Sequence, residues 1–106
     1  MTADKTLSAL ALARRAGKLI MGFDAVMESA RMGETVLVVL SCGLSPKTVK
    51  EASFHCGRFG VPFLTADVSL EEAEHVLGKR AGVFGVADDG FRTLLETAVN
   101  GRVQMD

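Results

Sequence analysis

Val36-Leu37-Val38-Val39-Leu40-Ser41-Cys42-Gly43-Leu44-Ser45-Pro46 is the stretch on which the fold turns. Its first five residues are an unbroken aliphatic and β-branched run, the pattern of a strand buried on both faces near the centre of a sheet. Ser45 then supplies an N-cap and Pro46 the first helical position. A helix is expected from there to about Phe59, ended by Gly60.

The elements on either side repeat this alternation. Residues 4 to 16 read as an Ala- and Leu-rich helix whose broad apolar stripe, with Leu7, Leu10 and Ala11 at its centre, suits a sheet surface. Leu19 to Met21 suits a short strand, and Phe23 to Met32 a helix stopped by Gly33. Beyond Gly60, a strand is expected over Val61 to Thr65, with Pro62 tolerable near its start. Ser69 and the acids after it open a helix to Leu77, closed by Gly78. Val83 to Ala87 is another apolar strand, Asp88-Asp89-Gly90 leads into a helix over Phe91 to Val99, and residues 100 to 106 read as a frayed tail. Alternation of this kind implies an α/β fold, a three-layer α/β/α sandwich around a small mixed sheet of four strands.

With 106 residues, 48% of them hydrophobic, the chain is long enough for one domain with a real core and short for two. The net charge of -1 advertises no nucleic-acid partner. The sum hides an asymmetry: residues 1 to 60 carry eight Lys and Arg against five acids, a net of +3, and residues 61 to 106 carry four against eight, a net of -4. One half can face phosphate while the other repels it. No secretory leader or membrane-length apolar run is visible, so a cytoplasmic protein is expected. Cys42 and Cys56 lack metal or redox spacing and read as reduced, small hydrophobes. With neither Trp nor Tyr, and six Phe, broad base-stacking platforms are not expected.

Catalytic chemistry finds little footing. His55 and His75 fall inside expected helices with no local nucleophile. Asp88-Asp89 reads as acids at a helix start, and neither Gly82-Val-Phe-Gly85 nor Gly57-Arg-Phe-Gly60 matches a dinucleotide or phosphate-loop fingerprint. No catalytic residue, metal or cofactor is expected.

A phosphate-backbone contact is better supported. Arg14 and Arg15 end the first helix, Gly17 stops it, Lys18 follows, and Gly22 opens a second helix whose first N–H groups lack intrahelical partners. If the loop after the first helix, the start of the second and the loop before the last strand converge at one end of the sheet, Lys79 and Arg80 join these cations. Such a site gives salt-dependent affinity and register without reading bases. A plainer reading has Gly17 as a helix cap and Lys79 and Arg80 beside the carbonyl end of the fourth helix.

Ala13-Arg-Arg-Ala-Gly-Lys-Leu-Ile-Met-Gly22, Val36 to Leu40, Ser45-Pro-Lys-Thr48, Gly60-Val-Pro-Phe63, Leu77-Gly-Lys79 and Val86-Ala-Asp-Asp-Gly-Phe91 occur in an order that resembles the kink-turn-binding ribosomal proteins, large-subunit proteins seven-Ae and thirty-e. The likeness is greatest to their short bacterial, ribosome-associated branch. It implies an RNA partner gripped at the start of the second helix, where RNA-binding members read Gly-x-Asn-Glu-x-x-Lys. Here those positions read Gly22-Phe23-Asp24-Ala25-Val26-Met27-Glu28, so only the glycine is kept. Asp24 accepts but cannot donate, Ala25 cannot hold a guanine edge, and Glu28 brings a negative charge where a lysine faces phosphate. A further departure is the acidic turn Glu71-Glu72-Ala73-Glu74.

The expectation is therefore a monomeric, non-catalytic protein that binds structured RNA, ribosomal RNA first, beside ribosomal proteins and away from membranes. Its grip would use Arg14, Arg15, Gly17, Lys18, Gly22, Lys79 and Arg80, with weakened or altered kink-turn specificity. The alternative is a protein-interaction module on the same fold that has lost RNA binding, with a free apolar patch around Phe23. A nucleotide-binding enzyme would rest on fold analogy alone.

Overall fold

A computed structural model describes residues 2 to 100. Along the chain run α1 (Thr2–Arg15), β1 (Leu19–Met21), α2 (Phe23–Arg31), β2 (Leu37–Leu40), α3 (Pro46–Phe59), β3 (Phe63–Thr65), α4 (Leu70–Leu77), β4 (Val83–Val86) and α5 (Asp89–Asn100). Asn100, expected in the tail, belongs to α5, and residues 101 to 106 lie outside the described residues.

Period-two alternation on the inner strands builds the two sides of the sandwich. Leu37 and Val39 of β2, with Phe84 and Val86 of β4, face α1, α4 and α5, where they meet Leu10, Leu77 and Leu95. Val38 and Leu40, with Val83, face α2 and α3 and meet Val26, Ala52 and Cys56. Every residue of β2 and β4 is buried. This is the three-layer α/β/α arrangement that the doubly apolar run at Val36 to Leu40 implies. Gly85 lets α2 sit close to β4, since a Cβ there would lie 2.8 Å from Thr35 Oγ1 and 3.2 Å from Val26 Cγ1.

The sheet is mixed, in the order β1-β4-β2-β3. β2 pairs with β3 in parallel, and β4 runs antiparallel to both β1 and β2. It follows that β1, β2 and β3 all point the same way.

Of the boundaries that differ from the sequence expectation, two have a visible cause. β3 begins at Phe63 because the Val61 N–H is taken by the Cys56 carbonyl at the end of α3 (2.9 Å), and Pro62 has no N–H to give. α5 begins at Asp89 because Asp88 Oδ2 accepts the Phe91 N–H at 3.0 Å, which starts the helix two residues early.

Candidate nucleic-acid interface

Because β1, β2 and β3 are co-directional, the helices that follow them all start at one end of the sheet. The N-termini of α2, α3 and α4 therefore share that end, each with orphan N–H groups and the positive end of a helix dipole. Two of the three are closed by side chains. Ser45 Oγ accepts from Thr48 N at 3.2 Å, and Ser69 and Glu72 form a reciprocal capping box, at 3.0 and 2.9 Å. α2 is different: its N-cap is Gly22, which has no side chain to close the first turn, and among the described residues no side-chain cap bond is made there.

Gly22 is held on both sides. Its N–H donates to the Val83 carbonyl at 2.9 Å, and its carbonyl accepts from Val26 N at 3.0 Å. Its φ of 103° and ψ of 142° lie where only glycine is at ease. The bond to Val83 ties the bare start of α2 to the segment 78 to 82 that leads into β4.

That segment carries the other cations. It begins at Gly78, where a Cβ would stand 3.9 Å from Arg14 Nη1, and it ends against Gly22. Arg14 also sits by the carbonyl end of α4, where a guanidinium complements the dipole. Arg15 lines a shallow depression with Leu12 and Val76 between α1 and α4. Lys79 and Arg80 are exposed, and Arg80 Nη1 bonds Glu74 Oε1 at 3.1 Å, so one of these two cations is partly answered within the chain.

The expected ring of five cations around α2 is not what the structure shows. β1 is antiparallel to β4, so the residue before β1 meets the residue after β4: Ala87 N donates to the Lys18 carbonyl at 3.0 Å. Lys18 thus lies at the far end of β1 from Gly22, about 13 Å away along an extended strand. Gly17 is a helix stop, with Gly17 N bonded to Arg14 O (3.0 Å) and Lys18 N to Ala13 O (2.8 Å), the paired bonds of a Schellman cap. The cations line a path from α1 through residues 78 to 82 to α2, instead of encircling the start of α2.

The departures at α2 also have a structural setting. Asp24 and Ala25 are exposed on the first turn. Glu28 is bonded by Arg31, whose Nε lies 3.1 Å from Oε1, and this holds the Glu28 carboxyl below its ordinary pKa. The negative charge of Glu28 is therefore compensated one turn later. The acidic start of α4 opens at the same end as α2 but belongs to the opposite layer.

Phe23 does not form a free patch. It is half-buried against the α2–α3 core, with its ring edge-on to His55 at 6.2 Å. Lys47, in the first turn of α3, was missed as a candidate. A cation there opposes the dipole, and no acid accompanies it, which was visible in Ser45-Pro46-Lys47. Among the described residues no group of three or more potential metal ligands occurs, and no helix is long and apolar enough to cross a membrane.

No family model matches the chain. The RNA-binding protein YlxQ of Enterococcus faecium is 29% identical over 98 residues, covering 92% of this chain and 94% of its own length. The RNA-binding protein YlxQ of Bacillus subtilis is 33% identical over 91 residues, covering 81% and 86%. Among solved structures, a protein of unknown function from Bacillus halodurans superposes with a TM-score of 0.82 at 30% identity, covering 90% of this chain and 96% of its own. The 15.5 kD RNA-binding protein of Giardia lamblia shares the fold, with a TM-score of 0.74 at 13% identity over 94% of this chain and 86% of its own. At the identity and coverage of the Bacillus subtilis relative, the chain belongs to the family of the RNA-binding protein YlxQ.

Proposed function

We propose that this chain is a non-catalytic, single-domain RNA-binding protein that grips structured RNA at the start of α2, with ribosomal RNA as its first target in the cytoplasm. The observation that carries this reading is the unclosed N-terminus of α2, placed by Gly22 at the end of a path of exposed cations. Phosphate oxygens are the natural acceptors for its free N–H groups. Arg14, Arg15, Lys79 and Arg80 supply counter-charge along the path, and Lys18 extends it at the far end of β1. The names of the relatives support RNA as the partner.

Recognition of a kink-turn is altered in this reading. Without the Asn and Glu side chains at positions 24 and 25, the site grips the backbone more than it reads G·A edges. Affinity for a kink-turn duplex and for isolated ribosomal RNA should fall as salt rises from about 50 to about 200 mM, with a log-log slope of about -4 if four cations each meet one phosphate. No binding to either RNA at the lower salt would overturn the reading.

A further inference from the structure

On α3, Lys47, Lys50, Phe54 and Arg58 recur at spacings of three, four and four, within an arc of about 80° at 3.6 residues per turn. All four are exposed, and Phe54 retains 63% of its surface. None of the three cations has an ion-pair partner among the described residues. Glu51 borders the same arc and leaves it a net charge of +2.

The phenyl ring is braced from within. Phe54 stands edge-on to His55 at 5.5 Å, His55 stacks on Phe59 at 6.0 Å with the planes 14° apart, and Phe23 closes the other side. His55 Nδ1 is buried and makes no hydrogen bond, so packing alone holds the imidazole. A large, exposed ring is thus held steady between cations.

We infer that the exposed face of α3 is a second RNA surface, on which a single-stranded segment lays its phosphates along Lys47, Lys50 and Arg58 and stacks one base on Phe54. Unpaired cations with an interposed aromatic ring suit a single strand, because every base has a face to stack and every nucleotide a phosphate to neutralise. Continuity gives the direction. α3 starts at the same end of the sheet as α2, and Phe23, the first residue of α2, touches the bracing histidine. The acids Asp67, Glu71 and Glu72 turn a single strand away from the start of α4 and leave α3 as the favoured neighbour of α2 at this end of the sheet. The inference rests on the proposed function and adds a surface that it does not require.

The test uses the full 106-residue chain with two probes, a fifteen-nucleotide oligouridine and isolated ribosomal RNA. Phe54→Ala should weaken oligouridine binding about tenfold, while ribosomal RNA binding stays within about twofold. Neutralising Lys47, Lys50 and Arg58 together to Gln should reduce the salt slope for oligouridine by about 2. Circular dichroism confirms that each variant is folded. If ribosomal RNA binds but oligouridine does not, or if oligouridine binds Phe54→Ala as it binds the parent, the α3 surface is wrong and the proposed function stands. If neither RNA binds, both fall. A protein partner retained after nuclease treatment and lost in Phe54→Ala, with oligouridine binding unchanged, would assign this face to protein contact and overturn the inference.

Discussion

Replacing Gly22 by Ala probes the candidate site and the fold at one atom. A Cβ at this position meets nothing within 4 Å, so tertiary crowding contributes no penalty. What remains is the backbone, whose φ of 103° is strained for any side chain. Strain of this kind amounts to about 1–3 kcal/mol. Relaxation is blocked on both sides, because rotating φ pulls the N–H from Val83 and rotating ψ pulls the carbonyl from Val26. The expected loss is therefore the full strain, or one of those hydrogen bonds at about 1 kcal/mol together with a frayed start of α2. For a domain of about 100 residues this lowers the melting temperature by about 4–8 °C per kcal/mol. Urea unfolding with an unchanged m-value measures it, and RNA affinity should fall in the same variant. A loss below about 0.5 kcal/mol, with RNA binding intact, would refute the view that Gly22 holds the start of α2 in a glycine-only conformation.

Gly85→Ala should destabilise by about 1–3 kcal/mol in urea unfolding, because its methyl would press on Thr35 and Val26 and lift α2 from β4. In RNA titrations, Lys79→Gln should weaken binding more than Lys18→Gln does, since Lys18 lies a strand's length from Gly22; equal losses would favour a site centred at the Arg14–Lys18 end of β1. A thiol reagent should modify Cys42 before Cys56, which is buried and whose burial pushes its thiol pKa up. The Arg31 guanidinium holds the Glu28 carboxyl below its ordinary value of 4.5, so this pair stabilises above that value and is lost as pH falls through the lowered one. The difference in urea midpoint between the parent and Arg31→Ala should accordingly shrink on acidification below pH 4.5 and on adding salt, both groups being exposed.

The layers were legible because each rested on local evidence. Five aliphatic residues from Val36 to Leu40 admit few environments other than the middle of a covered sheet, and Ser45-Pro46 and Ser69 with Glu72 announce helix starts that the structure closes with hydrogen bonds. The order of the strands was not legible. Nothing in Leu19 to Met21 says that it pairs with Val83 to Val86, which lie more than sixty residues away. Pairing at that separation is decided by which edges remain unsatisfied once the layers form, a property of the whole chain.

That hidden pairing explains what became of the candidate site. Gathering Lys18 and Gly22 into one site overlooked that the expected strand Leu19 to Met21 spans the gap between them, and the antiparallel β1–β4 ladder gives Gly22 to Val83 and Lys18 to Ala87. The same topology brings three helix N-termini to one end, a convergence no local motif records. The stripe from Lys47 to Arg58 was overlooked for a different reason. Six Phe and no Trp or Tyr argue against a broad stacking platform only if aromatic residues are counted, and one ring suffices once its neighbours are located. Phe54 lies seven residues from Lys47 and four from Arg58, and those spacings place it between the two on one helix face. Position on the helix, more than abundance in the chain, decides whether an aromatic ring can meet a base.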